Sequence, residues 1–139
     1  MKTLEDRCNA IEECYEFMLA YAAQGLTTEA GDGKGAQVRG FLERALRALG
    51  DLAEAYAAAV KQEGLAPAAP YMAFLAVLDR DAKDSRAAVE LVLAQPAISS
   101  QLIDNLNASI HLRALLTDLF LIDEILKLHQ NARKPAAAS

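Results

Sequence analysis

The chain contains 139 residues, of which 53% are hydrophobic, and its 14 Lys and Arg against 19 Asp and Glu give a formal net charge of −5. This length and apolar share fit one packed domain, while the acidic balance and scattered basic residues argue against binding to a nucleic-acid backbone. No apolar stretch approaches the ~20 residues of a membrane-spanning helix, and the polar, acidic N-terminus does not resemble a signal peptide.

The first helical segment carries both cysteines of the chain. Thr3 is a good N-cap with Asp6 three residues on, as in a capping box, and Gly25 is a natural stop. Cys8 and Cys14 are six residues apart on this helix, which is too far for a disulfide, so we expect a cytoplasmic protein. Apolar residues at helical spacing predict its buried stripe: Leu4, Cys8, Ile11, Tyr15, Met18, Leu19 and Ala22. Cys14 then lies at the edge of this stripe.

Two further segments repeat in steps of four and three, which is typical of helices packing at shallow angles in a bundle. The second segment spans residues 36–63, and its predicted core consists of Val38, Leu42, Ala45, Leu49, Leu52, Tyr56 and Ala59. The third spans residues 71–95, and its predicted core consists of Tyr71, Leu75, Leu78, Ala82, Ser85, Val89 and Val92. A charged patch at residues 79–84 leaves open one bent helix or two short ones. The four-three spacing of the apolar residues continues unbroken through this patch, which favours one helix.

The last segment starts at Ser99 or Ser100 and is predicted to run to Asn131 as one helix. The tail, residues 132–139, has too little apolar bulk to pack, so we expect a single domain over residues 1–131 followed by a frayed tail. Connections of about 6–12 residues favour antiparallel neighbours. The predicted fold is therefore all-α, an antiparallel up-down-up-down four-helix bundle.

The last segment carries two apolar seams about 180° apart. The first consists of Leu102, Ile103, Leu106 and Ile110, and the second of Leu112, Leu115, Leu119, Ile122 and Leu126. One helix in a four-helix monomer normally buries one stripe, and each buried Leu or Ile contributes ~1.5–3 kcal/mol. We therefore expect the second seam to bind a second copy of the chain or a helical partner protein. The alternative is that it packs against the long loops or a split third helix.

Residues suited to chemistry are few and far apart in this sequence. His111 and His129 lie 18 residues apart on one helix, or ~27 Å by helix rise, so they do not share a metal ion; we expect no metal and no cofactor. Together with Asp104 and Asp118 they form a polar stripe, for which a pH-sensitive contact and a solvated flank are both possible interpretations. The glycine-rich loop, residues 31–35, lacks the P-loop pattern; Lys34 and Arg39 leave a weaker hypothesis of an anion site.

With no catalytic constellation, the leading hypothesis is a non-enzymatic cytoplasmic interaction protein. It would be a small adaptor, regulator or assembly factor that acts through the apolar face of its last helix. The alternative is a bundle that binds a small ligand or cofactor in a pocket near Tyr15, Tyr56 and Phe120. A third possibility is an enzyme using Glu12 and Glu16 with a cofactor supplied by its substrate or partner.

Overall fold

The computed structural model describes residues 3–29 and 37–133, and in these ranges the chain is helical without strands. The six helices of this part of the chain are α1 (Leu4–Ala22), α2 (Val38–Leu49), α3 (Leu52–Gln62), α4 (Ala68–Leu93), α5 (Ser100–Ala108) and α6 (His111–Arg133). The all-α prediction is confirmed. The number of helices differs from the predicted four because two of the predicted segments each contain a break.

The predicted start of α1 is confirmed, but its buried face is rotated from the predicted stripe. The Asp6 amide donates to Thr3 Oγ1 at 3.1 Å, and the Asp6 side chain accepts from the Thr3 amide, which completes the capping box. Cys14 lies fully in the core, whereas Cys8 is half-buried and Leu19 is exposed. The expected positions of the two cysteines are therefore reversed.

The second predicted segment breaks at Gly50 and Asp51. Asp51 adopts a left-handed conformation with φ of 54°, which Asp tolerates better than most residues. Arg7 on α1 donates to the carbonyls of Ala48 (3.2 Å) and Gly50, so carbonyl groups freed at the break are satisfied. The predicted seam is otherwise correct, since all of it except Ala59 is buried.

The third predicted segment is one continuous helix, as the unbroken phase indicated. α4 runs for 26 residues through the charged patch, and six of its seven predicted core positions are buried: Leu75, Leu78, Ala82, Ser85, Val89 and Val92. α4 packs against α2, α3, α5 and α6, so it is central to the fold.

The last predicted segment is two helices, which explains its two seams. Ser99 caps α5 by accepting from the Leu102 amide at 3.0 Å. The chain then changes direction at Ile110, whose φ of 63° is unusual for a β-branched residue. α5 buries Ile103 and Leu106, and α6 buries a face of its own. Leu102, Ile103 and Leu106 of the first seam therefore belong to α5 and the second seam belongs to α6, whereas Ile110 lies at the break and is exposed.

A polar cluster joins the end of α1 to the start of α5. The Tyr21 hydroxyl donates to the Ile98 carbonyl at 2.6 Å, and the Ser100 hydroxyl donates to the Tyr21 carbonyl at 2.7 Å. The Ser100 amide donates to the Leu26 carbonyl at 2.8 Å. These bonds hold the chain segments at this end of the core in one arrangement.

Glu29 and Arg39 form a second connection at the same end. Glu29 accepts from the Ile98 amide at 2.7 Å and from the Arg39 guanidinium. Arg39 also donates to the carbonyls of Leu93 (3.0 Å) and Gln95 (2.8 Å). Arg39 is thus engaged within the protein and does not support the anion-site hypothesis, whose Lys34 lies outside the described residues.

The last helix ends close to its predicted position. α6 extends to Arg133, two residues beyond the expected end, and residues 134–139 of the predicted tail lie outside the described part. Among the described helices, none combines the length and the apolar character needed to cross a membrane.

Candidate functional site

The five residues predicted to form an interface are buried within the single chain. The exposed fractions of Leu112, Leu115, Leu119, Ile122 and Leu126 all lie between 0% and 7%. They belong to the same apolar core as the inner faces of α1 and α4. No partner can contact them unless the helices separate, so the surface expected from the sequence is replaced by the core of the protein. The physical reason is the break at Ile110, which turns this face of α6 inward.

α4 and α6 are antiparallel neighbours with a clear register. The Tyr71 hydroxyl lies 3.5 Å from His129 Nε2, and Asp81 lies close enough to Asp118 for its charge to act on that group. The two residue numbers of each pair sum to nearly the same value, as expected when one helix runs antiparallel to the other. The same register sets residue 77 at the level of residues 121–125, and residue 73 at the level of residue 128.

An exposed apolar surface follows from this register on the outer side of α4 and α6. We call it the α4–α6 face and define it by Ala73, Val77, Leu121, Ile125 and Leu128. Val77, Leu121 and Leu128 are 44%, 51% and 57% exposed, and Ile125 is half-buried. Helical periodicity directs these side chains to the same side of the two helices. Adjoining exposed apolar side chains of this size mark candidate interaction surfaces.

Four charged residues, two of each sign, lie on and beside the α4–α6 face. By helical periodicity, Arg80 lies on the outer edge of α4, and Arg113 and Glu124 lie on the outer edge of α6, whereas Asp84 lies seven residues from Val77 on the same stripe of α4. All four are exposed. Each helix therefore carries one positive and one negative charge at or near this face.

Two carboxyl groups meet in the seam between α4 and α6. Asp118 is 9% exposed, and the half-buried Asp81 is the ionisable group that acts on it. Burial, followed by the hydrogen bond and the charge of Asp81, raises the pKa of Asp118 to about 7. The neutral, protonated form of Asp118 is therefore favoured relative to that of an exposed aspartic acid.

A cluster of three polar side chains joins α1, α3 and α6 in the interior. The Tyr56 hydroxyl donates to Asp123 Oδ1 at 2.7 Å, and Cys8 Sγ lies 2.9 Å from the Tyr56 oxygen and 3.6 Å from Asp123 Oδ2. Burial, the largest cause, raises the pKa of Cys8 to about 11, and burial likewise raises that of Cys14 to about 12. Both thiols stay protonated at neutral pH, which makes them poor nucleophiles. This cluster positions helices and is not suited to thiol catalysis.

The pocket expected near Tyr15, Tyr56 and Phe120 is only partly present. A groove of about 470 Å³ beside Phe120 is lined by Cys8 and Asp123. Tyr56 is fully buried and closes the core behind these two residues. Tyr15 lies seven residues further along α1 than Cys8, or roughly 10 Å by helix rise. The three aromatic residues therefore do not line one cavity in the described chain.

The polar stripe of the predicted last helix is divided among different surroundings. His129 lies near Tyr71, and His111 lines an apolar groove of about 570 Å³ between α4 and α5. Asp104 lines a separate groove beside Leu26, and only Asp118 meets another ionisable group, Asp81. Within residues 3–29 and 37–133, no group of three or more His, Cys, Asp or Glu side chains is placed to hold a metal ion.

Sequence reasoning missed the α4–α6 face because the exposed apolar residues look like core residues in the sequence. Leu121 and Leu128 are spaced by seven residues, as core positions often are, and only the neighbouring helix decides which stripe is covered. Comparison with protein-family models, curated proteins and solved structures finds no match to this chain.

Proposed function

We propose that this protein is a non-enzymatic cytoplasmic interaction protein that forms a homodimer through the α4–α6 face. It would serve as a small adaptor, regulator or assembly factor. The observation that carries the proposal is the exposure of Val77, Leu121 and Leu128 on two adjoining helices. The last helix remains the interacting element, but with its outer face instead of the five buried residues expected from the sequence.

The size of this surface suits a stable dimer. α4 and α6 contain 26 and 23 residues, or roughly 35–39 Å each at 1.5 Å per residue. Two helices of this length side by side offer an area close to the ~800 Å² per partner of a standard interface. Covering the exposed Leu and Val side chains removes apolar surface from water, which stabilises the complex.

The charges at the edges favour a second copy of the same chain as the occupant. A two-fold axis parallel to the helices sets α4 of one copy across α6 of the other. Val77 then faces the partner's Leu121. Arg80 lies within about 6 Å of the partner's Glu124 along the helix axis, and Asp84 within about 5 Å of the partner's Arg113. Each positive charge thus approaches a negative charge of the partner, which favours an isologous interface.

The state of the thiols supports a binding role and a reducing compartment. Cys8 and Cys14 are both free, and the raised pKa of each keeps it protonated at neutral pH. Free thiols are ordinary in the cytoplasm, whereas secreted proteins of this size tend to pair them.

The test compares two substitutions that are chemically identical. Leu121→Glu introduces a charge at the centre of the proposed interface, and Leu19→Glu introduces it on α1, outside the face, at a residue of the same exposure (50% against 51%). We expect Leu121→Glu to raise the dissociation constant of the dimer by roughly 100-fold or more, as at a central interface residue. Leu19→Glu should leave the dissociation constant within about twofold of the parent.

Sedimentation velocity over a concentration series measures both constants, and circular dichroism verifies that each variant keeps its helices. Equal dissociation constants for the parent and for well-folded Leu121→Glu would show that the α4–α6 face is not the interface. Loss of the dimer in both variants would point to an effect of charge or stability, and would equally contradict the proposal.

A further inference from the structure

The outer face of α1 carries most of the net charge of this protein. α1 contains five acidic residues and one basic residue, a net charge of −4 against −5 for the whole chain. The basic residue, Arg7, is turned towards α2, where it donates to the carbonyls of Ala48 and Gly50. Four of the acidic side chains are exposed: Glu5, Asp6, Glu13 and Glu16. Within residues 3–29 and 37–133, none of these four forms a salt bridge.

An aromatic groove lies beside this acidic face, between α1 and α2. The two helices are antiparallel, because Arg7 contacts the end of α2 while Phe17 stacks on Phe41 near its start. We call this groove of about 880 Å³ the α1–α2 groove, and its lining includes three acidic and two aromatic side chains: Asp6, Glu13, Glu16, Phe17 and Phe41. Its lining on α1 runs from residue 6 to residue 20, or roughly 21 Å at 1.5 Å per residue. This length matches about four turns of a further helix.

Arg44 shows which chemistry the α1–α2 groove accepts. The rings of Phe17 and Phe41 stack with their centroids 4.3 Å apart, and the guanidinium carbon of Arg44 lies 4.4 Å from the centroid of Phe41. The negative face of an aromatic ring attracts a cation in this position. Among the described side chains, Arg44 is exposed and forms no ion pair with Glu13 or Glu16. A cation of the chain itself therefore occupies the aromatic surface and leaves the neighbouring acidic side chains unpaired.

We propose that the α1–α2 groove is the docking site for a basic amphipathic helix of a partner protein. A groove between two packed helices binds a third helix through its apolar side chains, and here they cover the half-buried Phe17 and Phe41. Lys and Arg side chains on the flank of that helix reach Asp6, Glu13 and Glu16, whose spacing of seven and three residues places them on one side of α1. The inference goes beyond the proposed dimer and does not depend on it, because no residue of the groove belongs to the α4–α6 face.

The charge of the groove selects among the possible occupants. Three acidic side chains against Arg44 give its lining a net negative charge, which repels nucleic acids and anionic lipids. A two-fold contact between two copies through this groove would bring two acidic α1 faces together, and like charges at an interface disfavour such a contact. A basic segment of another protein meets opposite charges along the whole groove.

The test measures the binding of a fluorescent helical peptide, composed of Leu and Lys and about 18 residues long, or about five turns. Fluorescence anisotropy gives the dissociation constant of its complex with the full chain. Glu13→Gln combined with Glu16→Gln removes two charges from the groove, and should raise this constant roughly tenfold. Glu43→Gln combined with Glu54→Gln removes the same charge from exposed positions outside the groove, and should leave the constant within about threefold of the parent.

A second pair of variants tests the aromatic surface at constant net charge. Arg44→Ala removes the cation that already occupies Phe41, and should tighten peptide binding by roughly threefold to fivefold. Arg47→Ala removes the same charge from the same helix, at an exposed position outside the groove. Its dissociation constant should stay within about twofold of the parent. Circular dichroism verifies that all variants keep their helices.

A parent chain that does not bind the peptide would overturn the inference. Equal weakening by the two pairs of Glu→Gln substitutions, or equal binding by Arg44→Ala and Arg47→Ala, would show attraction by net charge alone and would overturn it too. A peptide with Glu in place of Lys should not bind, and its binding as tightly as the Lys peptide would exclude recognition by charge. If spermine displaced the peptide as effectively as unlabelled peptide does, the occupant would be a small cation and not a helix.

Discussion

Replacing Leu119 by Glu should unfold the protein, whereas replacing Leu121 by Glu, two residues later, should leave the fold intact. Leu119 is 1% exposed and Leu121 is 51% exposed on the same helix. Loss of a buried Leu costs ~1.5–3 kcal/mol, and a buried charge without a partner costs several kcal/mol more. The sum approaches the whole stability of a typical domain, about 5–15 kcal/mol.

Far-UV circular dichroism and thermal denaturation compare the two variants directly. We expect Leu119→Glu to be unfolded already at room temperature and to show no cooperative thermal transition. Leu121→Glu should melt within a few degrees of the monomeric form of the parent. A well-folded Leu119→Glu that only loses its dimer would return the interface to the five residues of the inner seam. That result would contradict the account of α6 given above.

Acid should weaken the protein through Glu29. The hydrogen bond from the Ile98 amide, opposed by burial and aided by the Arg39 guanidinium, lowers the pKa of Glu29 from 4.5 to about 2. The stabilisation by this carboxylate is fully present above the unfolded pKa of 4.5 and is lost as the pH falls through the folded value. Allowing for the water near this partly exposed ion pair, we expect it to amount to about 1–2 kcal/mol.

Glu29→Gln should therefore be less stable than the parent by about 1–2 kcal/mol at neutral pH, and the difference should shrink towards pH 3. Urea denaturation at several pH values measures the free energy of unfolding of both proteins. Glu43→Gln is the control, because it removes an exposed glutamate of α2. If Glu29→Gln and Glu43→Gln lose stability equally at neutral pH, the Glu29 connection between α2 and the α4–α5 segment does not contribute as described.

Local sequence signals predicted the helices where local chemistry determines them. The Thr3 and Asp6 side chains complete the α1 cap within four residues of each other, so the sequence contains all the information. The long α4 was predictable because its four-three spacing continues through the charged patch. Most of its charged side chains are exposed to solvent and cost the helix little.

The two breaks depend on contacts between distant parts of the chain. At Gly50 and Asp51, the freed carbonyls are satisfied by Arg7, which is more than 40 residues away. Glycine followed by aspartate was the available signal. Ile110 has no such signal, because a β-branched residue rarely adopts a left-handed conformation on its own. Because of this second break, the inner seam of α6 lies in the core and not at the expected interface.

The candidate site could be predicted only in part for the same reason. The importance of the last helix was expected, but its exposed stripe depends on how α6 lies against α1 and α4. The Asp81–Asp118 pair is separated by 37 positions in the sequence and becomes visible only once the antiparallel register is known. Cys14 was expected at the edge of the predicted stripe of α1, yet it is buried.

Sedimentation equilibrium of the unmodified chain at about pH 6 tests the central claim most directly. We expect a mass of twice the chain mass of 14.9 kDa, with a dissociation constant in the micromolar range or below, as for a standard interface. A mass of 14.9 kDa at the highest concentration that stays in solution would contradict the claim that the α4–α6 face joins two copies of this protein.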